Sequence, residues 1–388
     1  MKARAFRASD AAGVAALHAR CYPAGGWHSS ADYEAYLREV LLGNPWLDPE
    51  IPSWVIEDGA EIAGFLGVVP RRMRLNRRAL RVAVSCQLMV APERRASFAA
   101  VTLLRALFDG PQDLTVADGA NAASRALWEA AGGIASPIHC LHWVRLLRPA
   151  QGLLAMAGRR LRGLRALAGP VAAALDACLA LGEPSPALEL GEEPLDARNL
   201  ADAFAIVRNC ALLPDYDAAS LSWLLAQAAA KRRHGELQGA LARDGAGRIA
   251  GWFLYYLNGA LSQVVQIGAR PGALAAVFEQ LARHARRRGA RALEGRLEPQ
   301  LVAALQGKRC LTQNRPIFTL LHAREPALLV PMLRGDAFFS RLEGEWWMRF
   351  SGEAPPAAGR NRARLPHRVA TGSASAPAPR CCALPASP

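Results

Sequence analysis

The chain has 388 residues, of which 52% are hydrophobic and 21% are charged. This balance is typical of folded proteins and excludes a collagen-like or wholly disordered chain. The 47 basic residues exceed the 33 acidic ones by 14, an excess that raises the question of a nucleic-acid or membrane partner. Because only Lys2, Lys231 and Lys308 are lysines, we interpret the arginine excess as compositional bias and expect no nucleic-acid partner.

Residues 1–150 carry alternating helix and strand patterns. Apolar periodicity and capping residues predict helices at 11–20, 33–42, 97–108 and 122–131. Apolar runs bounded by turn residues predict strands at 2–6, 53–57, 61–69, 71–75, 80–90, 114–117 and 139–147. This order predicts a first domain of the mixed α/β class.

Residues 151–194 are predicted to form a helical spacer and linker, and a second domain is predicted at 195–351. Its helices are predicted at 196–210, 218–230 and 271–288, and its strands at 236–243, 248–257, 260–267 and 291–297. The aromatic residues of 335–350 predict a last strand packed into the core. Residues 352–388, rich in Pro, Ala and Arg, predict a disordered tail.

A strand–loop–helix unit at residues 90–104 has the pattern of an anion site. The strand ends at Val90, and a helix begins after a short loop. The N–H groups at a helix N-terminus bind anions, aided by the helix dipole. Small side chains that allow close approach of a phosphate, and one positive charge, lie in this loop: Ala96, Ser97, Ala99, Ala100 and Arg95. The pattern predicts a diphosphate cradle, with ordinary helix packing as an equal alternative.

The unit resembles the loop of the GNAT family of acyl-CoA N-acyltransferases, which runs V-x-P-x-x-R-x-x-G-x-G/A before a Leu-Leu pair. The positions in register are Val90, Pro92, Arg95, Ala100 and Leu103-Leu104. Residues 121–133, which begin at Asn121, resemble the family's N-x-x-A-x-x-x-Y-x-x-x-G-F. Residues 4–10 and the element order of 1–147 also resemble the family.

The resemblance implies an α/β (α+β) fold: a mixed, mostly antiparallel sheet, flanked by helices, that splays where Val90 ends. It implies an acyl-CoA, in the first instance acetyl-CoA, as co-substrate and an amine as acceptor, with pantetheine in the splay. The pyrophosphate would contact Val90, Arg95, Ala96, Ser97, Ala99 and Ala100, and Asn121 would border the thioester. In such enzymes the amine attacks the thioester directly, so catalysis depends on positioning and on backbone N–H groups.

Three positions depart from the family pattern. Phe98 stands at the first loop Gly, so its ring crowds the phosphate unless it turns into the core. Trp128 replaces the Tyr that commonly protonates the leaving thiolate, and an indole N–H is not an acid at neutral pH. No Glu stands in residues 85–88, the stretch just before Val90, so the general base and acid are unassigned. Cys86 is a candidate there, although a buried Cys is more often a small hydrophobe.

The second domain resembles a degenerate GNAT-like half in tandem with the first. Gly268 and Gly272 lie at the corresponding loop, without the R-x-x-G-x-G spacing. Tandem halves also resemble the aminoacyltransferases that extend peptidoglycan bridges, and this activity is one alternative. Another is an acyl-CoA-binding scaffold or sensor that has lost catalysis. The acceptor amine and the oligomeric state are left open.

The remaining features bear on location and metals. The cysteines form no C-x-x-C pair, which favours free thiols, and we expect a cytoplasmic protein. The most apolar stretch, 166–182, is interrupted by Pro170 and Asp176, so no membrane span is expected. His139 and His142 would point to opposite faces of a strand, so no metal is expected.

Overall fold

The computed structural model describes residues 2–23, 27, 29–151, 154, 164–181, 189–207, 209–308 and 310–350. Its strands are, in chain order, β1 Ala3–Ala5, β2 Trp54–Asp58, β3 Glu61–Leu75, β4 Arg78–Val90, β5 Leu114–Ala120, β6 Ile134–Ala135, β7 Leu141–Leu146, β8 Gly191–Pro194, β9 Leu212–Pro214, β10 Glu236–Arg243, β11 Ile249–Leu257, β12 Ser262–Ala269, β13 Ala292–Arg296, β14 Cys310–Asn314 and β15 Phe318–His322. Its helices are α1 Ala11–Cys21, α2 Ser30–Leu42, α3 Ala99–Phe108, α4 Ala122–Ala131, α5 Leu164–Leu181, α6 Ala197–Phe204, α7 Ala218–Ala230, α8 Leu274–Arg287, α9 Val302–Leu305 and α10 Val330–Arg334. The predicted tail at 352–388 and much of the predicted spacer lie outside the described residues.

The first sheet has the strand order β1-β2-β3-β4-β5-β15-β6, and β9 pairs with the far end of β3. Its neighbours are antiparallel except β4 and β5, which are parallel. The long β3–β4 hairpin turns at Asn76, whose φ of 54° is left-handed. Asn tolerates this conformation better than most residues, so the hairpin turns without a glycine there.

The two faces of the first sheet pack against different helices because side chains alternate along a strand. Phe65 and Val69 of β3 pack in one buried cluster with Leu37 of α2. Leu66 on the opposite face packs with Leu103 of α3. The sheet is therefore covered on both sides.

The second sheet has the order β14-β7-β13-β12-β11-β10-β8. Here β12 and β13 are the parallel pair, and the other neighbours are antiparallel. Helix α8 packs on this sheet through Val277, Phe278 and Leu281, all buried at helical spacing. Both sheets thus combine antiparallel strands with one parallel pair.

The sheets exchange strands across the spacer that the sequence predicts between two domains. β7, which lies in residues 1–150, pairs with β13 in the second sheet. β15 and β9, which lie in residues 195–351, pair with β5 and β3 in the first. Apolar patterns predict where a strand is, but its partner depends on distant residues, so this exchange is not visible in the sequence.

Residues 338–350, which we call the closing segment, do not form the predicted last strand. Their backbone N–H groups do not follow one strand: Phe338 N bonds to Leu212 O and Arg341 N to Val265 O, whereas the N–H groups of Ser340, Leu342, Glu345 and Arg349 bond to side chains. The aromatic residues are nevertheless buried, with Phe338, Phe339 and Trp347 each 2% exposed or less. The prediction of a strand is wrong, whereas the side chains do pack into the core.

In the described part of the chain, no helix combines the length and the hydrophobicity needed to cross a bilayer.

Candidate active site

The parallel pair of the first sheet separates soon after it begins. β4 and β5 are paired at Val82–Leu114, Ala83–Thr115 and Val84–Val116. Beyond this point β4 continues to Val90 and β5 to Ala120 without pairing to each other. We call the space between residues 85–90 and 117–120 the first opening.

A β-bulge redirects β4 where the first opening starts. Gly67 of β3 pairs with Cys86, and Phe65 pairs with Met89, so both Gln87 and Leu88 lie opposite one residue. Gln87 has a φ of 51°, which is left-handed and uncommon for a residue other than Gly, Asn or Asp. Bulges bend a strand and re-aim its side chains, and this one accompanies the separation of β4 from β5.

The loop after β4 is a tight turn in which backbone amides bond to carbonyl groups of the same loop. Residues Pro92–Arg94 form a 3₁₀ turn, and the Ser97 amide donates to Arg94 O over 2.9 Å. Ser97 Oγ accepts a hydrogen bond from the Ala99 amide at 3.3 Å. Arg95 and Ala96 are exposed, Val90, Ser97 and Ala100 are partly exposed, and Ala99 is buried. The predicted pyrophosphate residues thus lie together at one end of the first opening, around the N-terminus of α3.

The Phe98 ring neither enters the core nor is covered by the loop. It is 84% exposed and immediately precedes the first turn of α3. Burial raises the pKa of the Cys21 thiol, and the nearby guanidinium of Arg95 opposes this rise. The positive charge of Arg95 therefore lies between the loop and the end of α1.

Asn121 and Trp128 have structural contacts on α4. The Asn121 side chain accepts a hydrogen bond from the Ser124 amide at 2.9 Å and so caps the helix. Trp128 is 2% exposed and packs edge-on against Phe108, with 5.0 Å between ring centroids. Its indole is therefore part of the core beneath α3 and α4.

The first opening contains a carboxylate that the sequence did not predict there. Glu345 Oε1 accepts a hydrogen bond from the Gly119 amide at 3.0 Å. A Cβ at Gly119 would lie 3.0 Å from the same oxygen, so a glycine leaves room for the carboxylate. No local pattern marks Glu345, because its position depends on a contact with a strand more than two hundred residues earlier.

Burial and charge set the protonation states at the first opening. Burial, followed by the charge of Asp118, raises the pKa of Glu345 to about 8. Cys86 is 2% exposed, and burial and the charge of Glu345 hold its thiol pKa well above the usual value. A thiol that stays protonated is a poor base, so Glu345 is the better placed proton acceptor of the two.

The second sheet has a corresponding opening, which the chain itself fills. β12 and β13 pair only at Ser262–Leu293 and Gln263–Glu294 and then separate. We call the space beyond these pairs the second opening. The Arg341 amide donates to Val265 O at 3.2 Å, and its guanidinium donates to Val264 O and to Glu294 Oε1, each at 3.0 Å. The side chain of Arg341 thus bridges the two separated strands.

Further polar residues line this filled opening. Gln266 of β12 donates to Glu343 Oε1 at 2.8 Å, and the Tyr216 hydroxyl donates to the same oxygen at 2.9 Å. Arg296 of β13 donates to Asp118 Oδ2 of β5 at 3.1 Å. Glu294 is 0% exposed, and its pKa is held far below the usual range chiefly by Arg341 and His142 against the effect of burial. These bonds join the second opening to the first.

The glycines of the loop after β12 have structural explanations. A Cβ at Gly268 would lie 2.2 Å from the ring of Trp252, so this glycine allows ring packing. Gly272 has a φ of 81°, a left-handed conformation that turns the chain before α8. Beside this loop is a cavity of about 290 Å³ whose walls are largely apolar, including Val207, Ile267 and Phe338.

Within the described ranges, no cluster of three or more His, Cys, Asp or Glu side chains is arranged to hold a metal ion. His139 lies in a 3₁₀ turn rather than in β7 and bonds to Ser136, whereas His142 bonds to Glu294. The two histidines therefore have separate protein partners.

Solved structures with a similar fold include two GCN5-related N-acetyltransferases. The one from Kribbella flavida has a TM-score of 0.52 and 14% identity, covering 84% of this chain and 71% of its own. The one from Anabaena variabilis ATCC 29413 has a TM-score of 0.54 and 14% identity, covering 83% and 72%.

A third similar structure is a conserved protein of unknown function from Enterococcus faecalis V583, described as a probable N-acyltransferase. Its TM-score is 0.58 and its identity 8%, covering 84% of this chain and 74% of its own. No protein-family model and no curated protein matches the chain. The chain therefore has the GNAT fold, and the predicted fold class is confirmed.

Proposed function

We propose that the chain is an N-acyltransferase that uses an acyl-CoA as donor and an amine as acceptor. Acetyl-CoA is the acyl-CoA that we propose as donor. The observation that carries this proposal is the first opening, a separated parallel strand pair that leads to the N-terminus of α3. A pantetheine arm would lie between β4 and β5, and a pyrophosphate would meet the loop amides and the helix dipole. The names of the structural neighbours support the same activity.

The donor contacts proposed are those at the two ends of the first opening. Val90, Arg95, Ala96, Ser97, Ala99 and Ala100 would contact the pyrophosphate, and Asn121 would border the thioester end. Donor binding is proposed at this opening alone, because Arg341 bridges the strands of the second one. The residues 195–351 then act as the support of a single site.

Among the described residues, the free thiols Cys21, Cys86, Cys140 and Cys210 favour a reducing compartment, and we place the protein in the cytoplasm on that ground. Direct attack of the amine would form the N–C bond and break the C–S bond of the thioester. The backbone holds the two reactants in contact, which is the main source of rate enhancement in this mechanism.

The test is calorimetric titration with acetyl-CoA and with CoA, followed by thiol release across a panel of primary amines. Binding of both ligands, with thiol release for at least one amine, supports the proposal. No binding at millimolar concentration overturns it.

Binding without thiol release for any amine would identify a scaffold or sensor instead. The buried Trp128, which stands at the family's Tyr position, is the observation that favours this alternative. The double variant Arg341→Met/Glu294→Gln serves as the matched control for the second opening, because it removes the bridge without leaving Glu294 as a buried unpaired charge. If donor binding takes place only at the first opening, this variant binds no second equivalent of CoA.

A further inference from the structure

The closing segment is hydrogen-bonded to β5 and packs closely against it at the first opening. Asp118 Oδ1 accepts a hydrogen bond from the Glu345 amide at 2.6 Å. The adjacent Gly344 is packed so closely that a Cβ there would lie 2.1 Å from the carboxyl carbon of Asp118. Arg296 holds the other oxygen of Asp118 at 3.1 Å. The backbone that carries Glu345 is therefore fixed relative to the strand.

The carboxylate of Glu345 bonds to one side of the first opening, and its charge acts on the other side. It bonds to the Gly119 amide on β5, three positions after the last residue paired with β4. Its charge also acts on Cys86 of β4 and on Tyr22 at the end of α1, raising the pKa of each beyond the effect of burial. Gly119 is exposed and residue Glu345 is partly exposed, so this end of the first opening is open to solvent.

We infer that Glu345, delivered by the closing segment, is the proton acceptor for the amine that attacks the thioester in the first opening. This inference rests on the proposed function. It assigns the catalytic group to a residue that follows the second sheet in the chain, whereas the donor contacts come from β4 to α4. Asp118 acts through Glu345 and is a positioning residue.

The surroundings suit this role. The pKa of Glu345 is raised to about 8 by burial and by Asp118, while the Gly119 amide and Lys231 oppose the rise. Cys86 and Tyr22 are neutral neighbours because burial raises their pKa values. A base works best when its pKa is close to the working pH, since it is then both partly ionised and strong enough to take the proton.

The ammonium form of the acceptor gives one proton to the Glu345 carboxylate, which passes it to solvent. The freed nitrogen lone pair forms the N–C bond, and the C–S electron pair leaves with sulfur. The second nitrogen proton neutralises the thiolate. The products are the amide, CoA as its thiol and one released proton.

The experiment measures thiol release from acetyl-CoA against pH for the full chain, Glu345→Gln and Glu345→Asp. The unmutated chain should show a kcat that rises with pH, reaches half its plateau near pH 8 and levels off about one pH unit higher. We call this rise of kcat with pH the pH limb. Glu345→Gln should lower kcat about 100-fold and abolish the pH limb, with the KM for acetyl-CoA unchanged within twofold. Glu345→Asp should keep the limb with a lower plateau.

Glu129→Gln is the matched control, because Glu129 is an exposed carboxylate paired with Arg125 on α4. It should leave kcat and the pH limb unchanged. Thermal melting shows whether each variant is folded. If Glu345→Gln does not fold, the pH dependence of kcat for Glu345→Asp is compared with that of the unmutated chain.

The outcomes separate the two claims. Turnover by Glu345→Gln with an unchanged pH limb overturns the role of Glu345 and leaves the proposed function standing. If kcat of the unmutated chain does not rise between pH 7 and 9, the role of Glu345 is likewise overturned and the proposed function stands. Failure of the unmutated chain to bind acetyl-CoA, or to release thiol with any amine, overturns both.

Discussion

The first and second openings share one geometry and differ in what fills them. Each begins where a parallel strand pair ends, after Val84–Val116 in one sheet and after Gln263–Glu294 in the other. Each is accompanied by a bulge in the strand that leads to a helix. In the first opening a partly exposed carboxylate borders the space, whereas in the second Arg341 bonds to both strands.

This difference shows how one sheet arrangement serves two purposes. Separated strands expose backbone polar groups, and such groups need a partner when they are buried. In the second opening the side chain of Arg341 supplies that partner. We call this bridge between β12 and β13 the joint of the second sheet. We therefore expect substitutions in the second opening to lower stability and those in the first to lower activity.

The largest expected effect is that of Arg341→Ala on stability. The change leaves Glu294 buried without its main cation, and removing one partner of a buried ion pair costs about 3–5 kcal/mol. Denaturant unfolding monitored by tryptophan fluorescence measures the loss. The double variant Arg341→Met/Glu294→Gln should recover part of it, because no buried charge is then left alone. A loss below about 1 kcal/mol for Arg341→Ala would show that the second opening is not a joint.

A second prediction concerns acid pH beside the second opening. Burial, with a smaller effect of Arg296, lowers the pKa of His139 to about 3. The folded state then holds a neutral imidazole, whereas the unfolded chain takes up a proton below about pH 6.5. The stabilisation is complete above that pH and falls as the pH drops toward 3, by about 2 kcal/mol at pH 5. Unfolding midpoints of the unmutated chain and His139→Gln between pH 7 and 5 test this, and parallel curves would contradict it.

In the loop of the first opening, Ala100→Leu should weaken donor binding. The added side chain stands in the first turn of α3, where a phosphate would approach, and the KM for acetyl-CoA should rise about tenfold. Ala275→Leu is the matched control, because Ala275 is an exposed residue in the first turn of α8 beside the second opening. Equal KM values for acetyl-CoA in the two variants would contradict donor binding at the first opening alone.

The smallest expected effect is that of Arg95→Ala. Arg95 is exposed, and an exposed charge contributes modestly, so we expect a KM for acetyl-CoA about threefold higher at low salt and less at high salt. The neighbouring Arg94 is paired with Asp58, so Arg94→Ala should leave KM unchanged. Steady-state kinetics at two salt concentrations make the comparison. A KM change that is the same for both variants would contradict a specific contact by Arg95.

The sequence predicted the elements around the first opening because their patterns are local. The apolar run that ends at Val90, the small residues of the loop and the helix after Asn121 each depend on neighbours a few positions away. It did not predict Glu345 or the strand exchange, since both depend on contacts with distant residues. The error at residues 335–350 has the same origin: the aromatic pattern predicted burial correctly, but side chains such as Asp118 and Tyr36 replaced the expected strand partner.

The order of these contacts along the chain has a consequence for the protein during its synthesis. The outer edge of β5 has no strand beside it until β15, at residues Phe318–His322, has been made. Glu345 and Arg341, four positions apart in the same segment, come later still. A nascent chain that already contains every proposed donor contact therefore lacks both the proposed proton acceptor Glu345 and Arg341, which bridges β12 and β13. The ribosome must therefore release the closing segment before the proposed donor site can meet its proposed proton acceptor.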